Sequence, residues 1–189
     1  MSPLIIVLII VALIALWIIA IYNALIRLRN RTREAWSDID VQLKRRYDLI
    51  PNLIEAVKGY MKHESGTLEK VVKARAEAMQ QHDKAGATLE QKAAAENMLS
   101  STLKSIFALS ENYPDLKANQ NFLQLQDELA DTENKIQASR RFYNGMARDF
   151  NIKIESFPSS IIAGAFGFKV QEFFQVENEE EKKTVKVSF

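Results

Sequence analysis

The fold class this sequence predicts is all-α: an N-terminal transmembrane helix continuous with the first long helix of an antiparallel four-helix bundle. Three observations lead there. The chain opens on an unbroken apolar run, its remaining apolar residues recur at steps of three and four, and its 189 residues hold only six glycines and four prolines. So few turn formers leave little material for hairpins. The length suits one domain with a real core plus one appended element.

Leu4 to Ile21, LIIVLIIVALIALWIIAI, are eighteen consecutive apolar residues. As a helix they reach ~27 Å, close to the ~30 Å hydrocarbon core of a bilayer. Trp17 and Tyr22 lie near one end, where amphipathic rings sit at headgroup level. Met1-Ser2-Pro3 has no basic residue and no A-x-A spacing falls near residues 20 to 25, so a retained anchor is expected rather than a cleaved signal. Arg27, Arg29, Arg31 and Arg33 follow the span, and no Lys or Arg precedes it. This asymmetry predicts the N-terminus outside and the C-terminal domain in the cytoplasm. The same arginines are placed to meet anionic headgroups.

Beyond Tyr22 one helical stripe carries Leu25, Leu28, Ala35, Ile39, Leu43, Ile50, Ile54, Val57 and Met61. Span and first helix therefore read as one rod to about His63. Glu64-Ser65-Gly66-Thr67 reads as a break. A second helix is expected near Leu68 to His82 with Leu68, Val71, Val72 and Met79 inward, then a loop over residues 83–87. Thr88 and Gln91 have the capping-box spacing, opening a third helix near Leu89 to Ser110 with Leu99, Leu103, Ile106 and Phe107 inward. Asn112-Tyr113-Pro114-Asp115 ends it. Phe122, Leu125, Leu129, Thr132, Ile136, Ser139, Tyr143, Met146 and Phe150 then alternate spacings of three and four, the 3.5-residue seam of packed helices. The expected organisation is a short outer N-terminus over 1–3, the span over 4–22, a bundle over 23–156, a Phe-rich segment over 157–175 and a mobile acidic tail over 176–189.

Pro51 falls inside the first stripe, after Lys44, Arg45 and Arg46. Either the rod kinks there, or Asp48 caps a fresh helix with Pro51 in its first turn. Arg46 is ~37 Å past the span at helical rise, too far for lipid contact from an upright rod. The basic triplet is therefore a candidate for contact with carboxylates of another helix or subunit.

Residues 157–174, FPSSIIAGAFGFKVQEFF, hold five phenylalanines. They read either as a short helix or a folded-back segment capping the open end of the bundle, or as an exposed patch for a neighbouring subunit or the bilayer. Phe166, Phe168, Phe173 and Phe174 are its candidate interaction residues. Phe189 ends a β-prone tail, TVKVSF, which suits capture by a groove that adds a strand, or pairs with its own bundle.

Composition narrows the chemistry. The net charge of +1 gives no bias toward nucleic acid, and the absence of cysteine removes disulfides and thiol chemistry. Two histidines make a multi-histidine metal site improbable, and His63-Glu64 lacks the second histidine of a zinc-hydrolase helix. Asp38 and Asp40 diverge on a helix. Gly164 and Gly167 stand in no phosphate-cradling loop. No catalytic residue, cofactor or metal is expected.

The stretches YNALIRLRNRTREAWSDIDVQLKRRYDLIPNLIEAVKGYMKHE (22–64), KARAEAM (73–79), NYPDLKANQNFLQLQDELADTENKIQASRRFYN (112–144), FPSSIIAGAFGFK (157–169) and the terminal KVSF resemble the LemA family, in order and over most of the chain. The resemblance implies a bacterial inner-membrane protein with one span and a helical cytoplasmic domain, and it implies no catalytic mechanism. By similarity it also brings a magnetosome protein linked to membrane formation and a neighbouring membrane zinc protease of the HtpX type. Two functions are compatible with this. One is a homo-oligomeric scaffold that organises or shapes the bilayer. The other is an adaptor or regulator for a membrane protease or envelope-stress pathway.

Overall fold

A computed structural model of the chain describes residues 2–61 and 64–174. The described residues form six helices and no strand: α1 (Pro3–Lys58), α2 (Ser65–Asp83), α3 (Leu89–Ser110), α4 (Pro114–Lys117), α5 (Gln120–Glu155) and α6 (Ser159–Ala165). The all-α class follows, and α1 joins the apolar run to the first amphipathic stripe without interruption. The acidic tail, Phe189 and His63 lie outside the described residues.

Helix α1 buries Leu25, Ala35, Ile39, Leu43, Ile50 and Val57, while its first fifteen residues, up to Trp17, are exposed. Pro51 lies inside this helix, so Asp48 does not open a new one. Its carboxylate instead pairs with Lys44 at 2.8 Å. A proline at this position removes the amide that would bond the carbonyl of Tyr47. Arg75 of α2 supplies the missing donor, its Nε lying 2.8 Å from that carbonyl. The rod stops at Lys58 rather than near His63. Gly59 is a poor helix former, and the amides of Tyr60 and Met61 turn back onto the carbonyl of Val57.

Helix α2 starts a turn earlier than the sequence suggests. Residues 64–67 form its first turn, because the amides of Thr67 and Leu68 bond the carbonyl of Glu64 at 3.0 and 3.3 Å. Val71, Ala74 and Ala78 are its buried face. Val72, expected inward, is exposed, since adjacent helical residues point ~100° apart and Val71 takes the inner position. Small residues on this face and at Ala93 of α3 let α2 and α3 pack closely.

The capping box of α3 is present, with Thr88 and Gln91 exchanging side-chain and backbone bonds at 3.2 Å each. Pro114 does not simply end the segment. It begins the one-turn α4, where its missing amide costs nothing, and Leu116 is buried there. The side chain of Asn119 then accepts from the amide of Phe122 at 3.1 Å, at the start of α5. Every seam position of α5 is buried or half-buried.

The chain divides into two compact units. One comprises the residues up to Val41 with Ile136–Glu172, and the other Gln42–Lys135 with Phe173 and Phe174. In the first unit Ile21, Leu25, Phe150, Ile162 and Ala163 form the core, edged by Ile18, Tyr22, Leu28, Ile154 and Phe168. In the second, Phe107 and Phe122 meet edge to face at 6.3 Å, beside the buried Leu99, Leu103 and Ile106.

Candidate functional site

Two places concentrate the residues singled out in the sequence. The first is an ionic cluster in the second unit. Arg46 of α1 is 1% exposed, and a buried guanidinium is tolerable only when its protons are met by acceptors. Its Nη1 donates to Glu133 of α5 at 2.7 Å and to Ser100 of α3 at 2.9 Å, and its Nη2 donates to Glu96 of α3. Ser100 passes its own proton toward Glu133 at 3.1 Å. The other oxygen of Glu96 accepts from the Tyr47 hydroxyl. Glu96 and Ser100 are four apart, so one face of α3 presents both. The cluster fastens α1, α3 and α5 through charge-assisted bonds from both Nη atoms of Arg46.

The basic triplet is therefore divided. Lys44 is exposed and held by Asp48, Arg45 is exposed with Glu128 3.9 Å away, and Arg46 is core. Sequence reasoning missed Glu96 and Glu133. A signal for the first existed: Glu96 sits between Ala93 and Leu99 on the buried stripe of α3, where a carboxylate must find a cation.

The second place is the end of the first unit next to the span. Tyr22 receives Phe166 at 4.8 Å and Phe168 at 5.9 Å between ring centroids. Phe168 also meets Phe150 edge to face at 6.2 Å. The guanidinium of Arg29 lies over the Phe168 ring at 5.4 Å, a cation–π geometry. Arg27, Arg31 and Arg33 point to the exterior, and Phe173 is exposed whereas Phe174 is buried. The segment after α6 is tied to α5 by Asn151. Its Nδ2 donates to the carbonyl of Gln171 at 2.9 Å and its Oδ1 accepts from the same residue's amide at 2.8 Å. Gly167, at φ +67°, makes the turn that brings this segment round. The Tyr143 hydroxyl adds a bond to the carbonyl of Glu172 at 3.2 Å, and Trp36 packs on the Tyr143 ring at 5.5 Å. Burial, then the Glu172 carboxylate, raises the Tyr143 phenol above its ordinary value.

An apolar groove of about 580 Å³ lies in the second unit, lined by Ile54, Met61, Leu68 and Val72 together with Lys58, Lys73 and Glu69. Among the described residues no group of three or more His, Cys, Asp or Glu could hold a metal ion.

Against known proteins, the sequence model of the LemA family matches residues 35–189. Protein LemA of Metamycoplasma hominis is 30% identical over 141 residues, covering 75% of this chain and 63% of that protein. Magnetosome protein MamQ 2 of Paramagnetospirillum magneticum is 26% identical over 175 residues, covering 82% and 64%. MamQ of Magnetospirillum gryphiswaldense is 24% identical over 174 residues, covering 81% and 64%. The chain thus spans less than two thirds of the length of these relatives.

Proposed function

Because the chain belongs to the LemA family, we propose that it is a membrane-anchored, non-catalytic helical scaffold of the bacterial inner membrane that self-associates and organises or shapes the bilayer, with its C-terminal domain cytoplasmic. One observation carries this reading. Ile21, in the last turn of the apolar run, belongs to the folded core of the first unit together with Phe150, Ile162 and Ala163, and Ile18 packs against that core. Anchor and fold are one packed body there, with no flexible tether between them. Force or curvature at the bilayer is then felt by the fold, as a scaffold requires. Exposed Val41 and Phe142 supply apolar contact points for a second copy. Similarity to a magnetosome protein is compatible with an organising role at a membrane.

Cross-linking in native membranes, followed by mass measurement of detergent-extracted protein, tests the assembly. Discrete oligomers are expected. A monomer in both measurements refutes the scaffold.

The groove of the second unit favours a second reading, an adaptor for a membrane protease, since an open apolar trough flanked by Lys58, Lys73 and Glu69 fits an amphipathic helix. A photo-crosslinking side chain at Val72 separates the two. Adducts with another copy of this chain favour the scaffold, and adducts with a membrane protease favour the adaptor.

A further inference from the structure

We propose that the corner between α5 and α6 is a second membrane-contacting element, with Phe157 and Ile161 immersed at the headgroup–hydrocarbon boundary of the lipid bilayer beside the end of the span. This rests on the reading of α1 as an anchor and adds a partner surface to it.

The height of the corner follows from its packing. Ile18 and Ile21 lie at the end of the uninterrupted apolar run. Ile162 and Ala163 of α6 and Phe150 of α5 pack into one cluster with them. A helix seated on the last turn of a span is held at the depth of that turn, where hydrocarbon gives way to headgroups. The aromatic contacts of Tyr22 with Phe166 and Phe168 lie one residue farther along, in the layer where such rings concentrate at membrane surfaces.

The outward faces suit that depth. With one side of α6 turned to Ile21, its other side leaves Ile161 62% exposed, and the flanking Phe157 and Phe166 are 81% and 58% exposed. Three large apolar side chains at one short corner form a patch that water does not favour. Lipid is the occupant that continuity dictates, because the neighbouring residues up to Trp17 on α1 are exposed and apolar as well. Past the end of the span the surface turns cationic, with Arg27, Arg31 and Lys169 exposed. An apolar edge below a cationic collar is the pattern of an element lying in a membrane surface. Glu155, exposed two residues before Phe157, sets the limit of immersion: the corner lies among headgroups and does not enter the hydrocarbon centre.

The cysteine-free sequence makes the test direct. Single cysteines at Phe157→Cys, Ile161→Cys, Leu13→Cys and Met98→Cys are labelled with a fluorophore in the full chain. Each protein is reconstituted into phosphatidylethanolamine–phosphatidylglycerol vesicles carrying nitroxide lipids, and iodide serves as the aqueous quencher. The expected result is quenching of the 157 and 161 labels by shallow nitroxides several-fold above that of the exposed 98 label, with weaker quenching by deep ones. The 13 label is quenched by deep nitroxides. If 157 and 161 behave like 98 while 13 is quenched, the corner is in water and the proposal falls although the anchor stands. If 157 and 161 are shielded from nitroxide and iodide alike, a second copy covers the corner and the proposal falls. An unquenched 13 label overturns the anchor and the proposal together.

Discussion

The Nε of Arg75 lies 2.8 Å from the backbone carbonyl of Tyr47, the one acceptor in α1 that Pro51 deprives of its helical donor. Proline in a helix interior costs about 3 kcal/mol, part of it for that missing bond. Here a side chain from α2 provides it, so the breaker becomes a point of attachment between helices.

A double-mutant cycle at Pro51 and Arg75 follows. Arg75→Ala alone leaves the carbonyl of Tyr47 unbonded and is expected to cost about 1–3 kcal/mol in urea unfolding. Pro51→Ala restores an amide at that position and is expected to stabilise by about 1 kcal/mol or more. In the Pro51→Ala background, loss of Arg75 becomes nearly neutral. Equal costs of Arg75→Ala in both backgrounds show that the arginine acts elsewhere.

Arg46 supports a second cycle. Arg46→Ala strands the buried Glu96 carboxylate and is expected to destabilise by about 3–5 kcal/mol. Arg46→Lys recovers little, because an ammonium cannot reproduce the planar fork that meets Glu96, Glu133 and Ser100 together. The combined replacement Arg46→Met, Tyr47→Phe, Glu96→Leu removes donors and acceptor as a set and is expected to return most of the loss. Thermal unfolding of the three proteins decides it. A triple variant no better than Arg46→Ala shows that the cluster contributes more than mutual satisfaction.

Periodicity made most of this fold legible. The seam from Phe122 to Phe150 and the capping box at Thr88 depend on local spacing, and local spacing is preserved in the structure. What escaped is what depends on pairing at long range. Glu133 looks like any solvated helix residue until Arg46, 87 positions away, is placed beside it. Val72 failed for a different reason. Two adjacent valines offer the same hydrophobicity, and only the neighbouring helix selects which faces inward. Asn151 carried no signal, because its partner is the backbone of Gln171 and backbone partners leave no trace in residue types.

Tyr143 gives a pH dependence. Burial and then the Glu172 carboxylate hold its phenol above the usual value of about 10. Below about pH 9 the folded and unfolded states both keep the proton, and the contribution is complete. Between the unfolded value and the higher folded one, only the unfolded chain has released it. Rising pH then favours unfolding, by up to about 1.4 kcal/mol per pH unit for one group. Tyr113, raised by burial and then by Glu64, acts in the same direction. Tyr143→Phe is therefore expected to reduce, without abolishing, the loss of stability above about pH 10. An unchanged slope assigns the alkaline loss to other groups.

The arginines after the span allow the orientation itself to be tested. Arg29 is committed to Phe168, whereas Arg27, Arg31 and Arg33 are exposed and free to act through charge alone. Replacing those three by Gln removes most of the cationic bias near the span while sparing the aromatic contacts around Tyr22. The span remains apolar and inserts, but with its direction less decided. A C-terminal tag, which the proposed orientation protects in intact spheroplasts of the unaltered protein, is then expected to become partly accessible to external protease. Adding lysines before Leu4 to the same variant increases the accessible fraction. If the tag stays protected in both variants, charge does not set the direction. The folded body carried by Ile18, Ile21 and the α5–α6 corner then does so, by resisting translocation.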